Sequence, residues 1–400
     1  MQIIHPNKDL STHPLWRQAF RPFFLFGSVF GIVAMAGWLS FLNGHIYFSP
    51  FGNPVFWHAH EMIFGFVAAF IVGFLLTAVQ NWTGLRAVNG IPLALLFSQW
   101  LLARILLATS TGLPNWFIVL IDVSFFVSAA VLMGALVIKA NNKRNLFFVP
   151  VLLLLSGVNL LSHIGVMINS PEYTQQGLYS AVLLITLLMI VIGGRVIPMF
   201  TANGTSTQKI LPQPLLEGAC IAFAVLFVFI FILGLHKTFN PTLLGGLFAI
   251  ASVCHAVRVL RWRVWVTFTA PLVWPLHLAY CFIPLGFGLF SLHYFGFNFS
   301  ITACIHALTA GAMSTLILAM IARVSLGHTG RKLHIHLSMV FAFALIITAA
   351  AGRVLSYFVP ALSGNAGYLL AGSTWILAFS LYLINYTSIL LSPRADNKLG

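Results

Sequence analysis

Twelve separate stretches of this chain are apolar for about twenty residues each, and that pattern leaves few folds open. They fall at about 22–42, 56–79, 90–108, 116–138, 146–168, 176–198, 215–235, 241–259, 268–292, 300–323, 334–358 and 366–391. A helix rises about 1.5 Å per residue, so each run can cross a hydrocarbon layer of about 30 Å. Only 6% of the residues are charged, and mean hydropathy is +0.98, which excludes a soluble domain. The expected fold is all-α: a polytopic membrane protein of about twelve transmembrane helices, with an N-terminal segment 1–21, one transmembrane domain 22–391 and a tail 392–400. The first 21 residues are polar and hold no apolar stretch before a small-residue cleavage site, so no signal peptide is expected to be removed. Pro198, Pro271, Pro275 and Pro284 predict kinks or broken helix ends.

The formal charge of +14 would point to nucleic acid in a soluble chain. Here the basic residues sit in short loops between apolar runs, as the positive-inside rule requires. With both termini cytoplasmic, 17 of the 20 Lys and Arg fall on the cytoplasmic side, Lys237 falls outside, and Arg104 and Arg353 lie inside helices near their outer ends. Cys220, Cys254, Cys281 and Cys304 all lie within apolar runs without CxxC spacing and read as core residues.

That orientation sets the depth of every histidine. His60 on the second run, His163 on the fifth and His306 on the tenth share one layer at the outer edge of the hydrocarbon. His277 is nearer the midplane, and His255 is near the cytoplasmic end of the eighth run. Ionisable groups at membrane depth are costly to bury, and clustered imidazoles there point to metal ligation. The richest stretch is Phe56-Trp57-His58-Ala59-His60-Glu61-Met62. On a regular helix His58 and His60 project about 200° apart, so they are expected to serve different sites, and Glu61 is expected on the face of His58.

The chain also repeats itself. His60 to Gly84 aligns without a gap on His306 to Gly330, matching His60 with His306, Gly65 with Gly311, and Thr83-Gly84 with Thr329-Gly330, with a basic residue just after each Thr-Gly. Each copy then runs into a helix ending in a buried arginine, Arg104 in one and Arg353 in the other. The offset of 246 residues is two periods of about 123, which predicts three pseudo-repeats of four helices around a threefold axis, with the middle copy beginning near residue 183. Gly327-His328-Thr329-Gly330-Arg331 resembles an anion nest, but its repeat Asn81-Trp82-Thr83-Gly84 favours a shared helix-ending turn.

These motifs resemble the NnrS family. The matching pieces are Trp57 to Met62, Gly73 to Ala78, Asn81 to Gly84, Gly194 to Pro198 with Phe200-Thr201, His306 to Thr309, and Gly327 to Arg331. The resemblance implies haem b and copper as cofactors and a link to the nitric oxide response of denitrifying and other bacteria. It therefore implies the bacterial inner membrane as the location, with nitric oxide and the lipid bilayer as partners and an unassigned electron donor. The chain lacks the His-Pro-Glu-Val-Tyr stretch and the adjacent His pair of haem-copper oxidases, so their chemistry is not carried over.

The candidate metal ligands are His58, His60, His163 and His306, with His60, His163 and His306 expected to converge between the second, fifth and tenth helices. Glu61 is the candidate catalytic group, fixing an imidazole tautomer or relaying a proton. Asn159 lies one turn before His163 and is expected to line its pocket, and His277 stands in an aromatic, proline-disturbed segment that could face a porphyrin. Arg104 and Arg353 are candidates to hold haem propionates, with an ion pair to Asp122 as the competing reading for Arg104. The leading function is a redox metalloprotein handling nitric oxide or a derived species in nitrosative-stress response or denitrification. Whether it catalyses, senses or scavenges stays open. The alternative is a transporter or channel for a metal ion, haem or a small nitrogen compound.

Overall fold

The computed structural model describes residues 12–109, 112–396 and 398, and among them the regular structure is all helical, with no strand. His5 and Lys8 of the N-terminal segment, and Thr111 in the turn after the third run, lie outside the described residues. Twelve helices are long and apolar enough to cross a membrane. They are α1 Phe20–Leu42, α2 Pro54–Thr83, α3 Gly90–Ala108, α4 Asn115–Lys139, α5 Phe148–Met167, α6 Pro171–Thr205, α7 Pro214–Ile232, α8 Pro241–Arg261, α9 Trp274–Tyr294, α10 Ile301–His328, α11 Leu337–Leu355 and α12 Asn365–Leu391. The protein is a multi-pass membrane protein.

The ends of these helices follow from local chemistry. Asn53 and Asn240 accept the amides of Phe56 and Leu243 at 2.9 and 3.1 Å, capping α2 and α8, each with proline next in the chain. Gly84 and Gly330 close α2 and α10 in the left-handed conformation, with φ of 68° and 69°. The Thr-Gly repeat is therefore a helix-ending turn in both copies. The ninth run starts later than its hydropathy suggests. Val264–Thr267 forms a 3₁₀ turn, and α9 begins only at Trp274, with Pro275 in its first turn, where a missing N–H costs nothing. Pro198 lies inside α6 and Pro284 inside α9.

Two helices contain a feature that hydropathy does not encode. Immediately after His60, α2 runs as π-helix over Glu61–Val67, and immediately after His306, α10 runs as π-helix over Ala307–Met313. These seven-residue segments occupy the same positions in the 246-residue offset, and α-helix resumes at Ala68 and Ser314. π-helical turns are rare and frequently mark functional positions. α6, where the middle copy is expected, is α-helical throughout.

The chain forms two compact units, one of Met1–Leu178, Arg323–Leu333 and Leu383–Gly400, the other of Tyr179–Ala322 and His334–Tyr382. In the first unit α5 and the start of α6 approach at backbone distance through two glycines. A methyl group on Gly177 would stand 2.6 Å from both the Ser162 nitrogen and the Val158 oxygen, and one on Gly165 would meet the Thr174 backbone. α5 also carries Asn159 and His163, so this contact sets where both side chains stand. Gly177→Val should lower stability by about 1–3 kcal/mol through overpacking. Thermal unfolding of the detergent-solubilised protein measures this, and an unchanged midpoint would remove the glycine contact as a determinant of α5 placement.

A buried ionic cluster as the candidate metal centre

In the first unit, α2, α3, α4 and α5 bring five polar side chains and a sixth from the π-segment into one dry cluster. His60, Glu61, Arg104, Asp122, Asn159 and His163 are each at most 3% exposed. Arg104 Nη1 donates to Glu61 Oε1 at 2.7 Å, and its Nη2 donates to Asp122 Oδ1. Asn159 Nδ2 donates to Asp122 Oδ2 at 2.7 Å, and His163 Nε2 reaches the same oxygen at 2.9 Å. His60 Nδ1 lies 2.9 Å from Glu61 Oε1, while its Nε2 lies 2.8 Å from Asn159 Oδ1 and 3.2 Å from Asp122 Oδ2.

The π-segment and its glycine allow this geometry. On Gly65 a methyl group would stand 2.6 Å from Phe30, 2.9 Å from Arg104 Nη1 and 3.0 Å from Glu61 Oε2, so only glycine lets the guanidinium reach the carboxylate. Trp100 Nε1 donates to the Gly65 carbonyl at 3.0 Å, tying α3 to the π-turn. Rings enclose the imidazoles. Phe56 and Phe64 lie 5.2 and 5.0 Å from His60, and Phe51 lies 5.4 Å from His163.

Hydrogen-bond accounting leaves the cluster one positive charge short. Asp122 accepts from the Asn159 amide nitrogen, which fixes the amide so that its oxygen faces His60 Nε2. Both His60 nitrogens therefore face oxygens that can only accept. A neutral imidazole has one N–H, so its second nitrogen would turn a lone pair toward two oxygens. Charge gives the same answer. Two carboxylates and one guanidinium leave one negative charge if both imidazoles are neutral, and an uncompensated charge in this environment is costly. One further proton in the cluster or a metal ion meets both demands. Among the described residues, one atom each from His60, Asp122 and His163 lie within 4.8 Å of one another, a spacing suited to one small ion. His163 Nδ1, Glu61 Oε2 and Arg104 Nε are buried without a hydrogen-bond partner.

Several sequence expectations change here. His60 and His163 converge, with ring centroids 4.6 Å apart, but the third member of their group is Asp122, which the sequence offered only as a partner for Arg104. His306 belongs to the second unit, where its Nδ1 lies 2.9 Å from the Thr302 carbonyl and 3.2 Å from the Tyr357 hydroxyl. Glu61 engages His60 rather than the face of His58, because the π-helix begins at Glu61 and regular helical angles no longer apply. His58 stacks on Trp38, with ring centroids 4.3 Å apart. Arg104 is held by Glu61 and Asp122, which answers the choice between propionate and ion pair in favour of the pair. Asn159 bonds His60 and Asp122, not the ring of His163.

In the second unit, Arg353 donates to Ser356 Oγ at 3.0 Å and to the Tyr357 hydroxyl at 2.7 Å, and lies between the Tyr357 and Tyr368 rings at 4.6 and 4.7 Å. No carboxylate pairs with it among the described residues. His277 is buried and bonds Thr201 Oγ1 through Nε2 at 2.8 Å; because Thr201 donates to the Ile197 carbonyl, the His277 proton lies on Nε2. Its remaining nitrogen, Nδ1, is buried without a partner.

A family model described as NnrS protein matches residues 14–394. No curated protein matches the chain.

The cluster yields a stability prediction independent of any ligand. Arg104→Gln should destabilise the protein by about 3–5 kcal/mol, because it strands two buried carboxylates. Asp122→Asn added to Arg104→Gln should recover part of that loss. Equal destabilisation of the single and double variants in thermal unfolding would show that Arg104 does not act through charge.

Proposed function

The chain belongs to the NnrS family, matched over nearly its whole length, and on that premise we propose that it is a haem- and copper-binding protein of the bacterial inner membrane, both termini cytoplasmic, acting on nitric oxide or a derived nitrogen species under nitrosative stress or in denitrification. The observation that supports this reading is the buried His60, Asp122 and His163 set, whose donors and net charge suit a cation.

The donor set fits copper. Two imidazole nitrogens and one carboxylate oxygen are ligands that copper accepts, and soft thiolates are not required. His60 Nε2, His163 Nε2 and Asp122 Oδ2 would hold the ion, and Glu61 would keep the His60 proton on Nδ1. Arg104 holds both carboxylates in place. The 4.6 Å spacing of the two rings leaves no slot for a porphyrin between them, so this group suits a small ion.

The second unit supplies residues that fit haem. The Thr302 carbonyl accepts the Nδ1 proton of His306, the tautomer in which Nε2 would be the atom to hold haem iron. Arg353, held between two tyrosine rings and lacking an acid, is the fork for a propionate. When bound, the two metals would supply one-electron redox chemistry and an affinity for nitric oxide. The chain's own part is to hold them in a dry, apolar setting that an uncharged gas reaches through lipid.

The test is an optical spectrum with metal analysis on protein made with haem and copper supplied. His60→Ala, His163→Ala and Asp122→Asn should each lose copper while keeping the Soret band, and His306→Ala should alter the Soret band while keeping copper. Protein with neither copper nor a Soret band would overturn the proposal.

A further inference from the structure

The second unit holds a buried polar chain that the proposed metal sites leave unused. His255 and Arg258 lie one turn apart on α8, so both reach the same neighbour on α9, Tyr280. All three are at most 1% exposed. Glu217 of α7 takes Nε and Nη2 of Arg258 with its two carboxylate oxygens, the Nε bond at 3.1 Å. Arg258 Nη1 donates to the Ile190 carbonyl at 3.0 Å and to the Tyr280 hydroxyl at 2.5 Å. Gly193 and Gly194 of α6 make room for these groups. A methyl group on Gly194 would run into the Arg258 guanidinium, and one on Gly193 would meet the Tyr280 ring at 3.3 Å.

The protons in this chain have one arrangement. A guanidinium only donates, so the Tyr280 oxygen accepts from Arg258 and its own proton points elsewhere. His255 Nδ1 stands 2.9 Å from that oxygen. It therefore accepts the phenolic proton, and the ring's own proton lies on Nε2, toward the Cys220 backbone. Arg258 and Glu217 cancel in charge, which leaves His255 a neutral base in direct hydrogen bond with a phenol. Trp262 closes the group, its ring edge-on to Tyr280 with centroids 4.6 Å apart.

A tyrosine so placed is equipped to lose an electron. A phenol that gives up an electron but keeps its proton becomes a radical cation, and a buried charge of that kind is costly away from water. With an imidazole at bonding distance the proton leaves the oxygen as the electron leaves the ring, and the positive charge rests on a stable imidazolium. We propose that Tyr280 is a redox-active residue, with His255 as its proton acceptor, through which the protein gives single electrons to a metal-complex oxidant. In the step the Tyr280 O–H bond breaks, an N–H bond forms at His255 Nδ1, and one electron passes to the oxidant, which is reduced by one charge. The products are a neutral phenoxyl radical and an imidazolium, and return of one electron with the proton restores the pair. Burial keeps the radical from coupling with a second ring. The pair shares no residue with the copper and haem sites proposed above and does not depend on them.

The experiment oxidises full-length protein in detergent with hexachloroiridate(IV), freezes it at once and records the electron paramagnetic resonance spectrum. The expected result is a phenoxyl signal, lost in Tyr280→Phe and in His255→Asn and kept in Tyr294→Phe. An asparagine amide accepts the hydrogen bond of the phenol but cannot keep its proton, so a merely structural pairing would leave the signal in His255→Asn. Should either variant fail to fold, as thermal unfolding reports, pulsed measurement on wild-type protein carrying isotope-labelled histidine decides, because the radical should couple to an imidazole nitrogen. No phenoxyl signal from the wild-type protein, an undiminished signal in Tyr280→Phe or His255→Asn, or a radical without imidazole coupling would overturn the proposal.

Discussion

The structure of the first unit depends on the placing of one guanidinium between two carboxylates at membrane depth. Arg104 links Glu61 on α2 to Asp122 on α4, and Asp122 in turn holds Asn159 and His163 on α5. Four helices are thereby indexed to one another by charge-assisted bonds rather than by apolar packing, which in lipid gives little preference between one rotation of a helix and another. Electroneutrality then does the rest. One negative charge remains among neutral imidazoles, which a further proton or a metal ion would balance. Such a cluster is a poor path for transport. Its members are all buried and mutually bonded, whereas a permeation route would present them in steps along a pore.

The π-segments explain how a helix can supply two adjacent residues to one site. On a regular helix, neighbours diverge by about 100°, and Glu61 would leave His60. Widening the turn from Glu61 onward, with glycine at 65, brings the carboxylate back to its neighbour and opens room for Arg104. The same device at Ala307–Met313 gives room to the Phe282 ring at Gly311, so the turn was kept in both copies while its contents changed.

How much of this could be read from the sequence depended on the kind of information each feature carries. Helix number follows from hydropathy, because a span must satisfy its own backbone and hide it from lipid; the limits follow less closely, since α9, preceded by a 3₁₀ turn and Pro271, starts after its apolar run does and α6 extends past its run at both ends. The meeting of His60 with His163 was legible from matched depth, and the Arg104–Asp122 pair from two charges near a short connection. The partition of His306 into other company was not legible, since depth fixes a residue's height and says nothing of its azimuth. Asp122 was seen as a counter-ion and missed as a candidate ligand. Its signal was present, as one of few acids in an apolar chain, but it needed the neighbouring α5 to give it meaning. The π-helices left one trace, the glycine shared at 65 and 311, and glycine has too many uses for that trace to be decisive.

The two copies carry the same backbone device and opposite electrostatics, and this difference argues for a division of labour. In the first, the arginine that ends the third helix of the copy lies between Glu61 and Asp122, and the balance is negative. In the second, Arg353 at the corresponding place lies between the rings of Tyr357 and Tyr368 with no acid among the described residues, and the balance is positive. A bare ion suits the first and would be repelled by the second. Were haem bound as proposed, a cofactor with its own carboxylates would suit the second, where Arg353 could hold a propionate and His306 the iron. Had the chain used both copies for copper, Arg353 would need an acid beside it; had it used both for haem, Glu61 and Asp122 would occupy the arginine meant for a propionate. On the proposed reading, the acids present beside only one of the two histidines would assign His60 and His306 to different partners.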